Sequence, residues 1–456
     1  MNNDEGSIPN LITLSQIPSN MMMKIESDLL DPVVFNQGTG GGDGFCRFQL
    51  QNKGILHSHS KIFLSVEANA SVNSGYFNPV TGVGQVIKKA VLKIGNKTLN
   101  EVSSWDSLYA VKSSLIKNEN NVEREFYTTG RFMNHNFVYD DGSKTQASKY
   151  GLDTGWEYEG TGANVPVFAE MDGASPAESP TFSVDLSDLF PFLKVNQLPL
   201  YMMKEPVTIE LTFYPTAEGD RIQIASGDDT GKAALIRQND LKFCADYVYY
   251  GEGDEMARFA EANKDMTFSF VDYRAVETTV NASSLSDGGI IRNLGMANRV
   301  VSRVVTTLPD TDLTETHIVT RSNSIAPALT GTTPGTVKYN LRYNDRYEFS
   351  TDVENTARLM SIFTDAEGVP FITRSEFSHE RNDVTSNTLN GRAQNVNLNG
   401  TFFNLGTKLT NGRVGQRGLE IHLSGTFPAS VDTMKNFCEY LRVARLSDGY
   451  LEVFNA

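Results

Sequence analysis

A chain of 456 residues is longer than one ordinary core can organise, so two domains of roughly 200 residues each are expected. With 39% hydrophobic and 21% charged residues the composition excludes a disordered chain, and a net charge of -15 excludes a protein that grips phosphate backbones over its whole surface. Aromatics at 10%, with 26 Phe and 17 Tyr beside 37 Gly, favour β-sheet with many turns.

Residues 1–35 scatter apolar positions (Ile8, Leu11, Ile12, Ile17, Met21 to Met23, Leu29, Leu30) with neither a strand nor a helix period, and a glycine run from Gly38 to Gly44 follows. This reads as an N-terminal arm on a hinge, a segment that cannot bury itself well alone. The acidic start lacks a signal sequence and no run approaches the ~18 apolar residues of a membrane span, so a soluble, unsecreted protein is expected.

From Phe45 the period becomes two. Cys46, Phe48 and Leu50 share one face; Ile62, Leu64 and Val66 point inward against Ser65 and Glu67; Val91 to Ile94 forms another short strand closed by Gly95-Asn96. Trp105, Leu108, Tyr109, Lys112, Leu115 and Ile116 then recur at helical spacing, with Ser103 and Asp106 as a capping box. Residues 138–180 form a polar loop of about 40 residues, far above the usual connection of about 4 to 6, which suits an outward-facing elaboration. Clean alternation returns at Phe182, Val184 and Leu186 and again at Val207, Ile209, Leu211 and Phe213, with Glu210 facing outward. Phe243, Ala245, Tyr247 and Tyr249 continue it, and a helical turn from Asp254 to Ala262 closes the first domain.

The second half repeats this grammar. Strands are expected at 267–280, 299–306 and 338–344, a helix from Asp352 to Ala366, and strands at 419–424, 439–446 and 450–454, with polar stretches at 307–337 and 376–397. The expected class is all-β: an arm over 1–35, then two series of short strands, each interrupted by a helix and long loops, over 36–262 and 263–456, a weak internal duplication of architecture.

Residue types that carry chemistry occur, but their settings do not suit it. His57 and His59 form an HxH pair, yet the flanking glycine and acid of a cupin metal site are replaced by Gln51, Phe63 and Leu64. The glycine run lacks the Lys-Ser/Thr of a phosphate-binding loop. Asp140-Asp141, Asp228-Asp229 and Asp254-Glu255 are adjacent acids, which cannot face each other across a glycosidase cleft. Cys46, Cys244 and Cys438 have no paired spacing and read as buried free thiols. Lys88, Lys89, Lys93 and Lys97 make a basic patch without the interleaved aromatics that stack bases. No catalytic, cofactor or metal residue is therefore assigned, and the chain is not expected to be an enzyme.

Three stretches carry a resemblance. Phe182-Ser-Val-Asp-Leu-Ser-Asp-Leu-Phe190 with Leu198-Pro-Leu-Tyr-Met-Met-Lys-Glu-Pro-Val-Thr-Ile-Glu-Leu-Thr-Phe213, the joining segment Ala245-Asp-Tyr-Val-Tyr-Tyr-Gly-Glu-Gly-Asp-Glu-Met-Ala-Arg-Phe-Ala260, and the glycine-punctuated 400–425 resemble the double jelly-roll major capsid proteins of nucleocytoplasmic large DNA viruses, virophages and polinton-like viruses. The joining segment departs from that pattern at Tyr250 and Gly251. The resemblance implies two tandem eight-stranded jelly rolls, over 36–262 and 263–456, in a structural protein of the virion assembled inside the host cell: a homotrimer whose six rolls tile an icosahedral shell around double-stranded DNA. It also implies contacts with neighbouring capsomers, penton and minor capsid proteins, no sequence-specific nucleic-acid binding, and an N-terminal arm along the inner face of the shell. An internal membrane beneath the shell is compatible with it. The alternatives are a minor capsid, penton or spike protein, and a β-sandwich glycan-binding protein or glycosidase.

Overall fold

The computed structural model describes residues 23–38, 41–68, 75–76, 82–115, 128–130, 181–216, 223–224, 234–250, 255–262, 264–308, 329–330, 333–334, 337–354, 358, 361–362, 378–380, 401–403, 405–410, 412–425 and 432–455. The loop read at 138–180, most of 307–337 and 376–397, and most of the helix read from Asp352 to Ala366 lie outside them.

Wherever the sequence alternates at period two, the chain pairs into sheet. The first half contributes β1 Met23–Leu30, β2 Gly44–Gln49, β3 Lys61–Ala68, β4 Ile87–Ile94, β5 Lys97–Ser103, β6 Thr181–Asp185, β7 Val207–Phe213 and β8 Lys242–Tyr250. One sheet runs β1-β8-β3-β6 and the facing sheet β2-β7-β4-β5, every pair antiparallel. First pairs with last, second with seventh, third with sixth and fourth with fifth, which is a long hairpin wrapped into a jelly roll.

The second half repeats the wrapping with β9 Asp265–Thr279, β10 Ile290–Gly295, β11 Val301–Thr307, β12 Val337–Tyr343, β13 Arg346–Tyr347, β14 Leu405–Lys408, β15 Leu419–Gly425 and β16 Thr433–Ser447. Its sheets run β9-β16-β11-β14 and β10-β15-β12-β13. Short edge ribbons extend the sheets: Val34–Asn36 on β2, Ile55–Leu56 on β8, Ala234–Ile236 on β3 and Tyr450–Asn455 on β16. Inward-facing residues such as Phe48, Leu92, Ile209 and Phe243 in the first roll, and Tyr339, Ile421 and Phe437 in the second, belong to one continuous buried cluster. Among the described residues no helix is long and apolar enough to cross a membrane.

Four local expectations are corrected. Most of residues 23–35, read as the end of the arm, is sheet: β1 pairs with β8 over its full length, and Val34–Asn36 pairs with β2. The alternation of β1 is inverted for a core strand, because Glu26 and Asp28 turn inward to Lys53, at 2.9 and 2.6 Å, while Ile25 and Leu29 face solvent. The glycine run is consequently not a hinge to an arm; it joins two paired strands, and Gly38 takes φ +77° with its N–H on Asn36 Oδ1.

The expected helix forms as α1, Trp105–Leu115, but without its capping box. Ser103 ends β5, Ser104 supplies the carbonyl that Leu108 N–H reaches, and Asp106 accepts a hydrogen bond from Tyr214 Oη at 2.9 Å. Glu210 faces away from the apolar layer as expected yet is only 7% exposed, because Arg47 and Lys93 close over it at 2.8 and 2.6 Å.

Candidate functional site: the seam between the two rolls

Strand β9 begins as ordinary core sequence: Met266, Phe268 and Phe270 occupy alternate buried positions, and the next in that phase is Asp272. A carboxylate cannot enter an apolar layer without partners, so its surroundings reveal what this strand packs against. Asp272 accepts hydrogen bonds from Arg442 Nη1 at 2.7 Å, Asn100 Nδ2 at 3.0 Å, Tyr273 N–H at 3.0 Å and Tyr440 Oη at 3.3 Å. Arg442 and Tyr440 lie on β16 of the same roll, whereas Asn100 lies on β5 of the other. Arg442 also donates to the β5 carbonyls of Leu99 at 2.9 Å and Thr98 at 3.4 Å. Asn100 Oδ1 accepts the N–H of Phe192 at 2.8 Å, and the Phe192 ring meets Phe268 and Phe270 edge-on at 5.6 and 5.1 Å. Edge strand β5 of one roll is thus fastened to edge strand β9 of the other.

A second cluster lies alongside. Glu439 on β16 accepts from Arg303 Nε at 2.8 Å, Ser302 Oγ at 2.6 Å and Tyr273 Oη, and Lys112 of α1 reaches it at 3.9 Å from the first roll. Lys435 donates to Ser107 Oγ of α1 at 3.0 Å, and Ser104 Oγ donates to Glu277. At the far end the turn after β16 docks on the first roll, with Lys204 N–H on Gly449 O at 3.0 Å and Lys204 Nζ on Asp448 at 2.9 Å. Gly449 has φ +82°, and a Cβ there would stand 2.7 Å from Met202 O, so only glycine permits this approach.

Burial pushes the Asp272 carboxyl upward, opposed by Arg442, Asn100 and the Tyr273 N–H. Burial would do the same to Glu439, but Lys112 and Arg303, with the Ser302 and Tyr273 hydroxyls, hold it below the usual range. Burying such charges brings little net stability, while removing one partner strands the other at about 3–5 kcal/mol. The consequence is geometric: Asp272, Asn100 and the two Nη groups of Arg442 find these partners only in this relative placement of the rolls.

The residues singled out for chemistry lie elsewhere and do not converge. The His57 and His59 rings lie tilted to each other, 5.3 Å apart, in the turn before β3, where His59 N–H donates to His57 Nδ1 at 3.1 Å; burial, with His59 beside it, lowers the His57 pKa. Each member of the basic patch faces a carboxylate: Lys88 faces Asp43, Lys89 Glu101, Lys93 Glu210 and Lys97 Glu205. Asp140-Asp141, Asp228-Asp229 and Asp254 lie outside the described residues. Cys46 and Cys438 are buried in different rolls, and Cys244 is half-buried on β8. Among the described residues no three His, Cys, Asp or Glu side chains are placed to hold a metal ion. Sequence reading missed the seam, although Asp272, a carboxylate in the apolar phase of a strand, was its visible signal.

No family model matches the chain, and no curated protein matches it in sequence. Solved structures do match it in fold. A quasi-atomic model of the PBCV-1 virus capsid superposes with a TM-score of 0.53 at 10% identity, covering 98% of this chain and 100% of that one. PBCV-1 VP54, fitted into a reconstruction of the virophage Sputnik, gives 0.52 at 10% identity with the same coverage. The Faustovirus major capsid protein gives 0.50 at 7% identity over 95% of this chain and 92% of that one. The likeness spans both rolls, and the fold is the double jelly roll.

Proposed function

We propose that the chain is a major capsid protein of a double-stranded DNA virus, a non-enzymatic building block located in the virion. The observation that carries this reading is the repeated eight-strand wrapping within one chain, with its two copies locked edge to edge by a buried polar seam. Two rigidly joined sandwiches of similar size give each copy two near-equivalent corners, and three copies around an axis give six. A six-cornered block tiles a flat icosahedral facet, so the homotrimer is the assembly that the duplication serves. The superposition on PBCV-1 and Faustovirus capsid proteins over nearly the whole chain supports the same reading.

The domains are proposed as a first roll from residue 23 to about 262 and a second from about 263 to 456, with α2, Glu255–Ala262, on the connection. Neighbouring trimers, penton proteins and minor capsid proteins are the proposed partners. Two complete rolls in one chain weigh against a penton or spike, which would usually need one. Native mass spectrometry with electron microscopy of the purified protein tests the proposal. A trimer with a six-cornered outline is the expected result; a monomer or two-fold dimer across micromolar concentrations would overturn it.

A further inference from the structure

The seam uses one edge of each roll and leaves the corresponding edges over. Within the chain, edge strand β5 of the first roll meets edge strand β9 of the second. The shared strand order makes β13 the counterpart of β5 and β1 the counterpart of β9, and among the described residues neither β1 nor β13 has a strand on its outer edge. Both carry apolar side chains in solvent: Ile25 and Leu29 of β1 are 50% and 68% exposed, and Tyr347 of β13 is 51% exposed. Such edges are normally covered or charged.

The β1 edge also carries the groups that the second roll spends on the seam. On β9 and β16, Asp272 stands opposite Tyr440, and two places earlier Phe270 stands opposite Arg442, the cation that reaches the β5 carbonyls. On β1 and β8, Glu26 stands opposite Tyr247, and two places earlier Lys24 stands opposite Tyr249. Acid, tyrosine, aromatic and cation recur in the same order along the strands; only the cation has moved, from the last strand to the first. In the seam Asp272, Tyr440 and Phe270 are buried, whereas the Lys24 side chain is 75% exposed. Arg346, which opens β13 as Lys97 opens β5, is exposed and has no carboxylate partner among the described residues.

We propose that the β1 edge of the first roll docks on the β13 edge of the second roll of another copy of this chain, in the manner of the seam between β9 and β5. Lys24 then reaches the β13 carbonyls as Arg442 reaches those of Leu99 and Thr98. Arg346 meets the Glu26 and Asp28 carboxylates, of which Asp28 is bonded to Lys53 through Oδ2 alone, and Ile25 and Leu29 cover Tyr347. The two surfaces differ, so each added copy leaves one edge of each kind open until a ring closes. Repeating the intrachain contact between copies makes every roll-to-roll contact alike, and a ring of three copies closes with no such edge left over. The inference rests on the trimeric reading above and names the contact that holds the trimer.

Cross-linking tests it. In a Cys244→Ser background, Ile25→Cys with Tyr347→Cys should be joined by a short bis-maleimide into covalent dimers and trimers, with peptides carrying residues 25 and 347 linked. Either substitution alone should give at least tenfold less. Native mass spectrometry of the same samples reports the trimer separately. A trimer without the 25–347 link, a link confined to single chains, or equal yield from one substitution alone would overturn this contact and leave the trimeric reading standing; a chain that stays monomeric would overturn both. Lys24→Ala and Arg346→Ala, both at exposed positions, supply an independent arm. Each should raise the concentration at which the trimer dissociates at least tenfold, and unchanged dissociation would also overturn the contact.

Discussion

Replacing Glu210 by Gln isolates one charge under a known lid. Glu210 lies on β7, opposite Arg47 of β2 and Val91 of β4, and it bonds Arg47 Nε at 2.9 Å and Lys93 Nζ at 2.6 Å. Burial favours its neutral form, but Lys93 and Arg47 outweigh this and hold the carboxyl below its ordinary range. Each charge-assisted bond is worth about 1.5–3 kcal/mol when buried. The side chains of Lys93 and Arg47 are 33% and 43% exposed, so solvent screening cuts both toward the surface-pair range of about 0.2–1 kcal/mol. Glutamine keeps one acceptor, and the net expected loss for Glu210→Gln is about 1–2 kcal/mol at pH 7. Because the folded pKa is depressed, this stabilisation is present above the unfolded carboxylate pKa of about 4.3 and is lost as pH falls through the folded value. Urea unfolding midpoints at pH 7 and pH 3, beside the exposed control Glu452→Gln, measure it. A shift at pH 7 no larger than the control's, or one that persists undiminished at pH 3, would refute the reasoning.

Ile209 is fully buried between the sheets, so Ile209→Asp should cost several kcal/mol and abolish soluble expression, whereas Ile209→Val should express normally. Burial pushes the Cys46 and Cys438 thiols up, Cys438 to about 12, so neither should react with a thiol reagent at pH 8 until the protein is unfolded, when three thiols per chain should titrate without reductant. Arg442→Met removes the cation between Asp272 and the β5 carbonyls; a loss of about 3–5 kcal/mol is expected, and Asp272→Asn in the same chain should recover part of it. Urea midpoints that simply add would show that the two residues do not act as a pair.

The sequence by itself determined the all-β class and most strands, because a sheet with one buried face writes its orientation into every second residue: Val207, Ile209, Leu211 and Phe213 could lie on only one face. What it could not determine was where that rule is reversed. In β1 the inward positions are Glu26 and Asp28, acceptable only because Lys53, 25 or more positions away in the chain, comes to meet them, so a strand looked like an arm. Glu210 looked like any surface acid until Arg47 and Lys93 arrived from neighbouring strands. The seam is the largest such case. Asp272, Arg442 and Asn100 are separated by up to 342 positions, and none has a local reason to be buried. Pattern along a chain reports which face a residue prefers; whether a charge on that face is tolerable depends on partners that only the packing of the two rolls supplies.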